Sequence, residues 1–104
     1  MRKRELEIHL QSVRNFEEPS SALEQYMTPA TIAADMLFEA YSRGDIQGLK
    51  VVDLGCGTGM LSIGSALLGA GMVVGFDADP KALDIARSNA SDLGVDIDFR
   101  ESLI

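Results

Sequence analysis

The hydrophobic positions divide the chain into a helical first part and an alternating second part. Leu6, Leu10 and Val13 recur at the spacing of one helix face with charged residues between them, so a helix is expected over residues 2–13. Residues 15–21, which include Pro19, break that period. Thr28 suits a helix N-cap and Pro29 a first helical position. Ile32, Ala33, Met36, Leu37 and Ala40 would then form the buried stripe of the next helix, which residues 44–48 end with glycines at both sides. Beyond it the apolar runs shorten. Lys50–Leu54 (KVVDL) and Met72–Asp77 (MVVGFD) read as buried strands, with a helix over residues 60–68 between them. Asp79 would cap a further helix, with Pro80 at its first position and Gly94 at its end. The stretch from Asp96 to Glu101 alternates with period two and reads as a third strand.

The predicted order is helix, helix, β-α-β-α-β. Strands alternating with helices imply a parallel sheet joined by right-handed crossovers, and so one half of a doubly wound α/β fold. Residues 1–48 are expected to form an N-terminal helical segment and residues 49–104 the βαβαβ half-domain. Such folds continue on the far side of the first strand, and an unpaired edge there would be a liability. The expectation is that the chain is truncated, or that another chain completes the sheet.

Composition narrows the function. A length of 104 residues predicts one compact domain. The net charge of −7 and pI near 4.5 are unlike a nucleic-acid binder, and the one concentration of positive charge is Arg2, Lys3 and Arg4. Any RNA-binding surface would lie mostly elsewhere. A single cysteine, Cys56, excludes an intrachain disulfide and fits a reducing, cytoplasmic setting. The charged N-terminus is not followed by a signal-peptide core. The apolar stretch 61–76 is interrupted by glycines and falls short of the ~20 residues a membrane span needs.

The chemistry centres on Asp53-Leu54-Gly55-Cys56-Gly57-Thr58-Gly59, placed where a strand turns into a helix. Glycines there permit positive φ and close approach of a ligand to the backbone, and the helix N-terminus offers unpaired N–H groups. The dinucleotide fingerprint G-x-G-x-x-G would need a glycine at Met60 or Ser62, so a nicotinamide-dependent oxidoreductase is disfavoured. Asp53 before the loop suits an ammonium group, directly or through water, or else a plain structural cap. Asp77, at the end of the second strand, can accept both hydroxyls of a ribose. These features suit S-adenosylmethionine (SAM), which has no phosphate but carries an ammonium, a carboxylate and a ribose. Cys56 reads as a small residue in a crowded turn, because His9, the single histidine, lies far off in sequence and no nucleophile–base pair is evident. His9 itself reads as a solvated helix residue.

Together the loop, Asp77 and the segment Gln25-Tyr26-Met27-Thr28-Pro29 resemble a class I SAM-dependent methyltransferase of Rossmann-like fold. More closely, the chain resembles the first half of the archaeal and eukaryotic family that methylates adenine N6 in small-subunit ribosomal RNA, the methyltransferase-like five family. The matching stretches are Leu23-Glu24-Gln25-Tyr26, Asp53-Leu54-Gly55-Cys56-Gly57, Leu61-Ser62-Ile63-Gly64, Leu68-Gly69-Ala70-Gly71 and Val74-Gly75-Phe76-Asp77. The resemblance implies that Gln25 and Thr28 close over SAM. It implies that Gly55 and Thr58 line its methionine end and that Asp77 holds its ribose; Asp53 and Gly57 complete the expected cofactor-binding set. Ser102 stands where such enzymes place an aspartate beside the adenine ring. The family's catalytic Asn-Pro-Pro-Phe does not occur here, so no catalytic residue and no metal ligand is assigned, and the chain alone is expected to be inactive. The resemblance also implies an RNA substrate and a small zinc-binding activator protein that would add to the strand from Asp96 to Glu101. The alternatives are a non-catalytic SAM-binding module, or a methyltransferase acting on a protein or small molecule.

Overall fold

The computed structural model describes residues 1–16 and 27–103. Seven elements follow one another: α1 (Lys3–Leu10), α2 (Ala30–Ser42), β1 (Lys50–Leu54), α3 (Met60–Leu67), β2 (Met72–Asp77), α4 (Pro80–Asp92) and β3 (Asp98–Glu101). The strands form one parallel sheet in the order β1-β2-β3, with Val51 opposite Val73 and Gly75 opposite Phe99. This is the expected half of a doubly wound α/β sheet.

Both crossover helices cover the same face. α3 packs across β1 and β2, and α4 across β2 and β3. They converge at Gly59, where an added Cβ would meet Ile63 of α3, Ala86 of α4 and Phe99 of β3. α1 and α2 form an outer layer against α3. One buried cluster joins all of them, from Leu6 and Leu10 through Ala33, Leu37 and Ile63 to Ala86 and Phe99. The approach of α2 to α3 is so close that a side chain at Gly64 would collide with Leu37.

Five expectations need correction. α2 begins one residue later than predicted: Pro29, with φ −59° and ψ 146°, is the N-cap and accepts from the Ala33 amide, so Thr28 lies outside the helix and does not cap it. The buried stripe of α2 is Ala33, Ala34 and Leu37, whereas Ile32 and Met36 are exposed. Small residues let α2 lie close to its neighbours, and that contact decides which side is buried. β1 is not a buried strand: Val52 is 49% and Leu54 63% exposed, because helices cover only one face and β1 is an edge. β3 starts at Asp98 rather than Asp96, since its ladder with β2 opens at the Val74–Asp98 pair. α1 also stops short of Val13, which is buried just beyond the helix. Among the described residues no helix is long and apolar enough to cross a membrane.

Candidate functional site

The site lies at the C-terminal ends of β1 and β2, where the glycine turn leads into α3. Gly55, Gly57 and Gly59 all take positive φ, at 74°, 57° and 97°. The amides of Gly55 and Cys56 both donate to the Phe76 carbonyl, at 2.8 and 2.9 Å, which ties the turn to the end of β2. Positive φ is open to glycine at little steric cost, so this pair of hydrogen bonds and the glycine spacing belong together.

Asp77 links the turn to the next loop. Its Oδ2 accepts from the Gly57 amide at 2.8 Å and its Oδ1 from the Asp79 amide at 2.9 Å. A carboxylate has about four acceptor positions. Two backbone donors therefore orient the group and leave it capacity for further donors. Asp79 in turn caps α4, accepting from the Lys81 amide at 2.9 Å, as the sequence predicts.

Asp53 sits on β1 and accepts from the Ser62 hydroxyl at 2.6 Å. Burial pushes its carboxyl above the ordinary value of 3.8, the Ser62 bonds pull it down, and the Asp77 charge adds to the rise. A cationic group placed beside Asp53 would relieve that cost. Burial pushes the Cys56 thiol up to about 12, helped by the charges of Asp53 and Asp77. It is therefore a protonated filler rather than a nucleophile.

These residues line a cleft of about 470 Å³, a size that suits a small ligand. Asp53, Gly55, Gly57, Thr58 and Asp77 all border it, and so does Thr28. The Thr58 residue is 2% exposed, and among the described residues its hydroxyl oxygen has no hydrogen-bond partner. A buried hydroxyl without a partner is costly unless something else satisfies it. Gln25 lies outside the described residues. The Ser102 amide donates to the Asp77 carbonyl at 2.9 Å, and it is the next residue, Leu103, that borders the cleft.

Three contributors are absent from the sequence reading. Phe16 and Met27 wall the cleft from the N-terminal side. Asn89, 1% exposed, donates to the Thr58 carbonyl at 2.9 Å and to the Arg14 carbonyl at 3.1 Å, and accepts from the Arg14 amide at 3.0 Å. A signal for it existed: Asn89 falls at helical spacing on the stripe of Ala82, Leu83, Ala86 and Ala90, where a polar residue must find buried partners. Among the described residues no group of acidic, histidine or cysteine side chains could hold a metal ion.

Comparison with known proteins agrees with this geometry. Residues 22–100 match the family model described as ribosomal protein L11 methyltransferase (PrmA). The chain is 53% identical over 93 residues to the rRNA N(6)-adenosine-methyltransferase of Danio rerio, covering 88% of this chain and 45% of that protein. A crystal structure from Pyrococcus horikoshii, described as that of a proposed RNA methyltransferase, superposes with a TM-score of 0.88 at 42% identity, covering 95% of this chain and 49% of that one. The magnesium protoporphyrin IX methyltransferase of Synechocystis, solved with bound SAM, gives a TM-score of 0.61 at 30% identity, covering 66% of this chain and 34% of that one. The chain thus spans about half the length of the curated relatives it matches, 45% and 44% in the first two.

Proposed function

The chain belongs to the methyltransferase family of the ribosomal protein L11 methyltransferase (PrmA) model, and we propose that it is the SAM-binding half of an enzyme that methylates adenine N6 in ribosomal RNA. The observation that carries the cofactor reading is the Asp77 carboxylate, held by two backbone amides beside Asp53 in a cleft at a glycine turn. These residues fit SAM. Asp77, already oriented by the Gly57 and Asp79 amides, keeps acceptor capacity for the ribose hydroxyls. Asp53 faces the cleft with a carboxyl that a neighbouring ammonium would favour. Thr58 borders the cleft on the glycine turn, where the amino-acid end would lie. Gln25 and Thr28 would close over the bound cofactor, with Ser102 near its adenine.

SAM supplies an electrophilic methyl group carried on a cationic sulfur. This chain's part is to bind and orient: Asp77 and the glycine turn would set the position of the nucleoside, and the half-buried Phe16 and Met27 give the cleft an apolar side. Positioning of this kind can account for a large share of a transfer barrier. The adenine-N6 reading rests on the identity to the Danio rerio enzyme and on the matching stretches around the loop. With a net charge of −7, RNA affinity must come chiefly from surfaces other than this half. A zinc-binding activator protein adding a strand to the outer edge of β3 fits the same reading, as strand addition is a common recognition mode. A reducing, cytoplasmic setting suits the lone buried Cys56.

Calorimetric titration of the chain tests the cofactor. SAM is expected to bind saturably and NAD not at all; the reverse, or no SAM binding at millimolar ligand, defeats the reading. Methylation of ribosomal RNA by a full-length protein containing this half, with the product mapped to adenine N6, tests the substrate. Loss of hydrogen exchange along Asp98–Glu101 on adding the activator tests the partner.

A further inference from the structure

We infer that Phe16 is a cofactor-contacting residue and that Asn89 is the residue that positions it. This rests on the SAM reading of the cleft. The ring of Phe16 is seated on the glycine turn: a Cβ built on Gly57 would lie 3.1 Å from its Cζ and 3.7 Å from Cε2. The missing side chain of Gly57 therefore does two things. It permits the positive φ of 57°, and it makes the seat for an aromatic ring that arrives from a remote part of the chain. In that seat the ring borders the cleft together with Asp53, Thr58 and Asp77. It also lies beside the Gly57 amide, whose bond to Asp77 is stronger when water is kept away from it.

Phe16 lies beyond the end of α1, on a short arm that includes Arg14. One buried amide holds the arm at Arg14, next to the buried Val13. Asn89 Oδ1 accepts from the Arg14 amide at 3.0 Å and from Arg14 Nε at 3.3 Å, while Nδ2 donates to the Arg14 carbonyl at 3.1 Å and the Thr58 carbonyl at 2.9 Å. Both donors and both acceptor positions of the amide are used. The group that grips the arm also grips the glycine turn, so one side chain on α4 ties the arm that carries Phe16 to the turn that seats its ring. At the rim Arg14 also meets the Ser88 hydroxyl and, at 3.5 Å, the Asp92 carboxylate. These exposed contacts support the same placement without specifying it.

The chain contains no tryptophan, so F16W carries a lone indole reporter at this place. Its emission is expected to change saturably on titration with SAM or S-adenosylhomocysteine. F16A is expected to keep the wild-type melting temperature within a few degrees in the absence of ligand while binding SAM at least about tenfold more weakly by calorimetry, the loss of one useful contact. In the F16W background, N89A is expected to shift the unliganded emission to the red and to weaken SAM similarly. N89D, which keeps the acceptor but cannot donate to Thr58, serves if N89A fails to fold, and the same weakening is expected of it. Absence of SAM binding to the wild-type chain removes the underlying cofactor reading. Wild-type binding with an unchanged affinity in F16A, or a silent indole in F16W, overturns the role of Phe16. A folded N89A or N89D with lowered melting temperature but unaltered emission and affinity overturns the positioning role and leaves Asn89 as packing alone.

Discussion

The two faces of the sheet start from the same valine-rich strands and end in different environments. On one face Val51, Asp53, Val73, Gly75 and Asp77 lie under α3 and α4, and Gly75 is pressed against Phe99 and Cys56. On the other face Lys50, Val52, Leu54 and Met72 are exposed, and of the neighbouring apolar groups Val74 in the middle strand is shielded. Alternation puts successive residues on opposite faces, so the two sets interleave one for one along β1 and β2. The two strand carboxylates of the cleft, Asp53 and Asp77, belong to the covered face. Packing on that face fixes where Asp53 and Asp77 point, whereas the open face contributes apolar surface and no group of the cleft.

Substitutions on the two faces should therefore differ sharply, and the largest effect belongs to the packed side. Ile63 on α3 is fully buried. Ile63→Ala should destabilise the chain by about 2–5 kcal/mol, seen as a lower urea midpoint with an unchanged slope. Asp77→Ala removes the acceptor of two backbone amides as well as the proposed ribose ligand. Its SAM affinity should fall by about 1.5–3 kcal/mol, or one to two powers of ten, in a calorimetric titration. Gly75→Ala places a methyl group 2.9 Å from Phe99 and 3.0 Å from the Cys56 sulfur. An overpacking cost of about 1–3 kcal/mol is expected in thermal or urea melts, and a neutral result would mean that the covered face is looser than its geometry.

Asp53→Asn probes the same face through pH. The folded-state pKa of Asp53 is raised by burial above the ordinary 3.8. Ionising it in the fold is disfavoured, so the associated stability is complete below 3.8 and is lost as pH rises through the folded value. D53N lacks this loss. Its melting temperature should match the wild type in acid and lie modestly above it at neutral pH, while its SAM binding weakens. An identical pH profile for both proteins would show that Asp53 is not held at a cost. The smallest effect belongs to the open face: Leu54→Thr should change stability by no more than about 0.5 kcal/mol. A larger loss would mean that this face is covered in solution.

Much of the site was legible because it is local. Glycines at residues 55, 57 and 59, an acid before the turn and another at the end of the next strand are neighbours in sequence or are joined by one crossover. Asp79 and Pro80 likewise announce the start of α4 through short-range capping. The unread contributors are non-local. Phe16 meets Gly57, and Asn89 meets Arg14 and Thr58, across long separations that no periodicity encodes.

By itself, then, the sequence determined the element order, the parallel βαβαβ arrangement and the glycine turn with its two acids, since each depends on backbone preference and spacing within a few residues. Tertiary structure alone decided which side of α2 and of β1 is buried, because Ile32, Met36, Val52 and Leu54 are as apolar as the residues that are covered. It also decided which residues wall the cleft. Burial is a property of what lies opposite a side chain, and what lies opposite is set only when distant segments close on one another.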